Sequence, residues 1–174
     1  EQMQTAIAGL DAEEALDAIK RCTREWRFQC EVQALSHILH PTDLGHVLSM
    51  IADIVVRAVH QLASQDMERR HGSINGRSAI LALGRLGTKA LTAHSDLDLV
   101  VVYEAGPNAK STGDRALGPQ AYFTRLTQTF VNWLSRPTTQ GSLYDVDMRL
   151  RPDGDKGGIA VGIQRFNEYY NNDA

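Results

Sequence analysis

The residues of this chain best suited to chemistry are its paired carboxylates. Ser95-Asp96-Leu97-Asp98-Leu99 opens an apolar stretch, and residues i and i+2 of a strand share a face. Asp96 and Asp98 therefore project together while Leu97 and Leu99 enter the buried side. Two carboxylates whose Cα atoms lie ~7 Å apart repel if left alone, and hard oxygen donors so placed are what Mg²⁺ coordinates beside a substrate's phosphates. A second stretch repeats the design: Asp145, Asp147, Arg149 and Arg151 alternate with Tyr144, Val146, Met148 and Leu150. Acidic patches meeting across a sheet form a metal-dependent phosphoryl site when phosphate-binding groups lie nearby. Gly87-Thr88 offers such groups through backbone N–H and a hydroxyl, which together make the equipment of two-metal nucleotidyl transfer.

Each element also has a plainer reading. An Asp-x-Asp at a strand start can simply cap a turn, and Arg149 and Arg151 can neutralise Asp145 or Asp147 instead of approaching a triphosphate. Lys89 is open between phosphate and solvent, and His94 reads as an ordinary loop residue. His37, His40, His46, His60 and His71 lack the i, i+4 pairing of a helical zinc site and read as exposed or locally hydrogen-bonded. The combination is what carries weight: Gly84-Arg-Leu-Gly-Thr88, a spacer, Ser-Asp-Leu-Asp-Leu opening a strand, then a distant aspartate on another strand.

Two textures must position these groups. From Asp11 to about Arg70 the periodicity is helical. Asp11 with Glu14 forms a capping-box pattern, and Leu16, Ile19, Cys22, Trp26, Cys30, Leu35, Ile38 and Leu39 make one apolar stripe. Pro41 breaks that helix, and Leu44, Val47, Leu48, Ile51, Val55, Ala58, Val59 and Leu62 make a second, antiparallel one. After Gly72 short apolar runs take over. Strands are predicted over 78–84, 96–103, 143–150 and 159–163, a short helical segment between the first two, and helices over 121–135 and 164–170. Residues 104–119 read as an exposed, mobile loop, and Tyr122, Phe123, Phe130 and Trp133 as core. The expected fold is α+β: a small mixed sheet with flanking helices (76–174), preceded by an N-terminal helical segment packed on it (1–75).

Composition narrows the classes. The chain has 174 residues, 43% of them apolar and 6% aromatic, which suits one globular domain, and no apolar run is expected to reach the ~18 residues of a membrane span. A formal charge of −3, from 18 Lys+Arg and 21 Asp+Glu, gives no global field for nucleic acid. Cys22 and Cys30 lie about 12 Å apart along a helix, too far for a disulfide, so buried reduced thiols and a cytoplasmic setting are expected. The start at Glu1-Gln2-Met3 reads as that of an excised domain.

Leu83-Gly-Arg-Leu-Gly87, Ser95-Asp-Leu-Asp-Leu-Val-Val-Val-Tyr103 and Leu143-Tyr-Asp-Val-Asp-Met-Arg-Leu-Arg-Pro152 resemble the glutamine synthetase adenylyltransferases, within the polymerase-beta-like nucleotidyltransferase superfamily. That family has two homologous halves, one attaching AMP to a tyrosine of glutamine synthetase and one removing it by phosphorolysis. The motifs are more similar to the C-terminal, attaching half. The resemblance implies Mg²⁺ as cofactor, ATP as substrate, glutamine synthetase as protein substrate and a nitrogen-signalling regulatory protein as partner. It implies that Asp96, Asp98 and Asp147 bind metal and carry catalysis, with Gly87, Thr88, Ser95, Arg149 and Arg151 at the nucleotide. The chain departs from the pattern at Gly87-Thr88-Lys89-Ala90, where the family has Gly-Gly followed after one residue by Glu. It also stops before the Trp/Glu-containing helical segment with which the family continues. The AMP-removing half is the nearest alternative, and a non-catalytic nucleotide sensor of the same fold is the second, which these departures raise.

Overall fold

Asp11 starts the long N-terminal helix as its neighbours predict. Its side chain accepts the backbone N–H groups of Glu13 and Glu14, each at 2.9 Å, and Glu14 reaches back to the Asp11 N–H at 3.3 Å. In a computed structural model, which describes residues 2–137 and 141–172, this helix is α2 (Ala12–Leu35), preceded by a short α1 (Gln2–Ile7) that the periodicity had not indicated. The cap satisfies two orphan donors, so Asp11→Ala should cost about 1 kcal/mol, read as a lower urea midpoint at unchanged slope.

Leu35 and Ile38 depart from the expected stripe, at 81% and 77% exposed. The helix ends at Leu35, the Ser36 N–H closes on Val32 O, and His37 takes φ +57°, so the chain has left the helical register before Ile38. Pro41 then opens α3 (Pro41–His71) rather than merely ending its predecessor, and His40 caps it by accepting the Thr42 N–H. Cys22 and Cys30 are free and half-buried instead of fully enclosed.

The stretch from Thr42 to His71 is, contrary to expectation, long and apolar enough to cross a membrane; half of its most apolar part is buried inside the protein. There Leu48, Ala52, Val55, Val59 and Ala63 form one side of the core. The other side comes from the sheet. Strand β1 (Gly76–Ala82), the one-turn α4 (Gly84–Gly87) and strand β2 (Leu97–Ala105) follow, with Leu97, Leu99 and Val101 sending their side chains into the core. Helix α5 (Pro119–Ser135) completes it with Phe130 and Leu134, while Tyr103 stacks on Phe123 at 4.7 Å. Tyr122, Phe123 and Phe130 are buried and Trp133 half-buried against them, as a core stripe should be.

Strand β2 is central. β1 pairs with it antiparallel along its length, Gly76 opposite Ala105 and Ala82 opposite Leu99. On its other edge lie two short parallel strands in tandem, β3 (Val146–Asp147) and β4 (Ala160–Gly162), before helix α6 (Ile163–Asn172). The architecture is the expected α+β with a small mixed sheet.

The third strand is much shorter than its alternation suggested. Tyr144 and Met148 are buried as predicted and Val146 is half-buried, but Leu150 is 51% exposed. The Arg149 N–H donates to Asp147 Oδ1 at 2.8 Å instead of to a sheet ladder, and this local bond bends the chain off the sheet. The loop after β2 is mostly exposed, as expected, but it is anchored at one place. Ser111 is buried, its hydroxyl accepts the Leu117 N–H, and the N–H groups of Thr112 and Gly113 donate to Ser73 O and His71 O, tying the loop to the end of α3.

Candidate active site

The site forms where β2 begins. The turn before it is closed by Ser95, whose hydroxyl accepts the Thr92 N–H at 3.0 Å and meets the Thr92 hydroxyl at 2.8 Å. The backbone of the strand start is held from both sides: Leu97 N–H donates to Asp145 O and Leu83 N–H to Asp98 O, each at 2.9 Å. Leu97 and Leu99 are fully buried, so alternation leaves Asp98 on the opposite face, half-buried. Its register neighbour on β3 is Asp147. Two aspartates on adjacent parallel strands are thereby set side by side, with Asp96 two residues upstream on the same strand direction.

The charges register this proximity. Burial, then the neighbouring Asp96 and Asp147, push the Asp98 carboxyl above its ordinary range. Asp147 moves the other way. Arg149 donates Nε–H to both of its carboxylate oxygens, at 3.0 and 2.9 Å, and adds an Nη2 contact, which holds its carboxyl below the usual range. Among the described residues, no group of three His, Cys, Asp or Glu side chains is gathered into a ready ion cage. The carboxylates are neighbours, and a guanidinium stands against one of them. As a donor set they fit a hard divalent cation: oxygen ligands only, with excess negative charge that raises Asp98.

The other residues singled out from the sequence divide. Gly87 is required by packing, since a Cβ there would lie 2.7 Å from Ala82 O. Thr88 caps α4, its hydroxyl donating to Gly84 O at 3.1 Å. Lys89, at φ +59°, is ion-paired to Asp53 of α3. Arg151, only 11% exposed in its side chain, donates to Met148 O and pairs with Asp155 at 3.7 Å. Arg149 thus takes the neutralising role that its spacing allowed. His60 is half-buried and meets the Ser78 hydroxyl of β1 at 3.2 Å, a tertiary contact rather than a local one, and Asp145 contributes its carbonyl to the β2 start.

Gly84, which heads the Gly84–Thr88 motif but was not among the candidate site residues, is also part of the site. It sits at φ +50°, and a Cβ there would fall 2.1 Å from Asp98 Oδ2. The carboxylate occupies the space a side chain would need. The glycine immediately after the first strand was the available signal, but only the folded chain shows what approaches it.

The glutamate-ammonia ligase adenylyltransferase family matches residues 1–174. The chain is 40% identical over 166 residues to the bifunctional glutamine synthetase adenylyltransferase/adenylyl-removing enzyme of Brucella suis, covering 94% of this chain. It is 38% identical over 93% of its length to the Mesorhizobium japonicum protein of the same description, and 36% identical over 97% to that of Caulobacter vibrioides. In each case it spans 17% of the relative's length. Matched from end to end, this chain belongs to the glutamate-ammonia ligase adenylyltransferase family.

Proposed function

We propose that this chain carries the catalytic face of an adenylylating unit that transfers AMP from ATP to a tyrosine of glutamine synthetase, and so regulates nitrogen assimilation. The observation that carries the reading is the register pairing of Asp98 with Asp147, reinforced by the raised Asp98 carboxyl. Asp96, Asp98 and Asp147 are the residues that would hold Mg²⁺. When bound, the ion supplies Lewis-acid stabilisation of phosphate charge and lowers the cost of deprotonating a hydroxyl whose pKa is otherwise near 10.

The chain's own groups do the rest. In the transfer, the tyrosine oxygen forms a bond to the α-phosphorus, the bond from that phosphorus to the bridging oxygen breaks, and pyrophosphate leaves. The tyrosine proton passes to a carboxylate or to solvent. The Gly84–Thr88 turn, held against Ala82 O and Asp98, fixes the carboxylate beside which these bonds exchange. Relatives named for both adenylylation and adenylyl removal support the substrate class, while the direction rests on the likeness of Ser95-Asp-Leu-Asp and Leu143-Tyr-Asp-Val-Asp to the attaching half.

The assay that tests this uses the intact protein with glutamine synthetase and ATP labelled at the α-phosphate. Label should appear on the synthetase in an Mg²⁺-dependent manner. Phosphate-dependent release of ADP from adenylylated synthetase, with no labelling from ATP, assigns the chain to the removing half. Mg-ATP binding without either reaction assigns it as a sensor.

A further inference from the structure

Arg149 and Arg151 lie two residues apart in one motif and are held very differently. The Arg151 side chain is almost enclosed, bonded to Met148 O and paired with Asp155. That of Arg149 is 74% exposed, and its side-chain and backbone N–H bonds all end on one carboxylate, that of Asp147, whose own side chain is 14% exposed. Asp96 and Asp155 add attraction from nearby. The guanidinium fork matches a carboxylate in two-point geometry, yet with the cation this exposed it can leave to water without unpacking any of the core.

We propose that Arg149 is a resident counter-cation of the carboxylate site, holding Asp147 until a divalent cation displaces it. The inference rests on the metal-site reading above and adds its regulation. Without such a group, Asp98 and Asp147 would face each other as bare charges across adjacent strands. With it, the Asp147 charge is balanced and its oxygens are occupied, while Asp98 still feels Asp96 and Asp147. Displacement leaves the guanidinium on an exposed loop at the same edge, where its fork suits phosphate oxygens as well as it suits a carboxylate. Metal entry and triphosphate binding then favour each other, because a phosphate that takes Arg149 removes the competitor for Asp147.

The test is Mn²⁺ binding to the intact protein without nucleotide, followed by electron paramagnetic resonance, for wild type, Arg149→Gln and Asp98→Asn. The binding component that Asp98→Asn removes should be about two- to fivefold tighter in Arg149→Gln, the range open to an exposed ion pair. Adding a non-hydrolysable triphosphate should tighten Mn²⁺ binding in wild type more than in Arg149→Gln. Unchanged or weaker Mn²⁺ binding in Arg149→Gln overturns the inference while leaving the metal site standing. Equal binding by wild type and Asp98→Asn overturns the metal site and the inference with it. Matching melting temperatures for wild type and Arg149→Gln show that any change reads the site rather than the fold.

Discussion

Asp98→Asn should reduce AMP transfer by the intact protein about 10²–10³-fold, the size of loss seen when one preorganised electrostatic group is taken from a reacting centre. The same change should leave the fold as stable as before, or slightly more so. Folding raises the Asp98 pKa, through burial first and then through Asp96 and Asp147. For an acid raised in this way, the stabilising contribution is present below the ordinary carboxylate range and is lost as pH rises through the folded value. At neutral pH the ionised group is therefore a cost to the folded state, and asparagine, of the same shape and uncharged, relieves it. Function and stability move in opposite directions, as expected where charge is concentrated for a purpose. The check is a transfer assay beside a thermal melt: retained transfer defeats the assignment, and a large fall in melting temperature shows that Asp98 was structural.

Gly84→Ala should damage the same centre from underneath. The added Cβ would lie 2.1 Å from Asp98 Oδ2, far inside non-bonded carbon–oxygen contact, and the backbone there has φ +50°. The left-handed conformation alone costs a non-glycine residue about 1–3 kcal/mol where it is enforced. The larger consequence is positional. The carboxylate must move aside by roughly an ångström, and displacements of that size in a reacting geometry cost up to about 10²-fold in rate. Gly106, where a Cβ meets nothing within 4 Å, is the matched control: Gly106→Ala should change neither transfer nor unfolding by a measurable amount. Activity in Gly84→Ala equal to that of the control would show that Asp98 does not need its present position.

Much of this fold could be read from residue order because the informative signals are local. The Asp11/Glu14 cap, the periodicity of α3 and the β-branched run of β2 each specify their element through neighbours within a few positions. The misreadings share a cause. Alternation over 143–150 described which side chains would be buried up to Met148, but strand length depends on whether each N–H finds a ladder partner, and at Arg149 the Asp147 carboxylate captured it first. Leu35 and Ile38 continued an apolar spacing after the helix that gave it meaning had ended. The length of the apolar stretch in α3 was likewise underrated, because a helix enclosed on one side by a sheet and a helical neighbour can be apolar over many turns.

Composition and spacing alone established an α+β chain with two carboxylate stretches on strands, and the motif strings established its family likeness, since residue type and i, i+2 alternation are properties of the chain itself. What the chain could not declare is which partners those side chains meet. That Asp98 faces Asp147 across a parallel pair and that Gly84 leaves room for the Asp98 carboxylate are contacts between residues 49 and 14 positions apart, and that Arg149 stands on Asp147 rather than reaching away decides between two readings its spacing left open. Such contacts are decided by strand register and by competition among charges in three dimensions, to which no local pattern is sensitive.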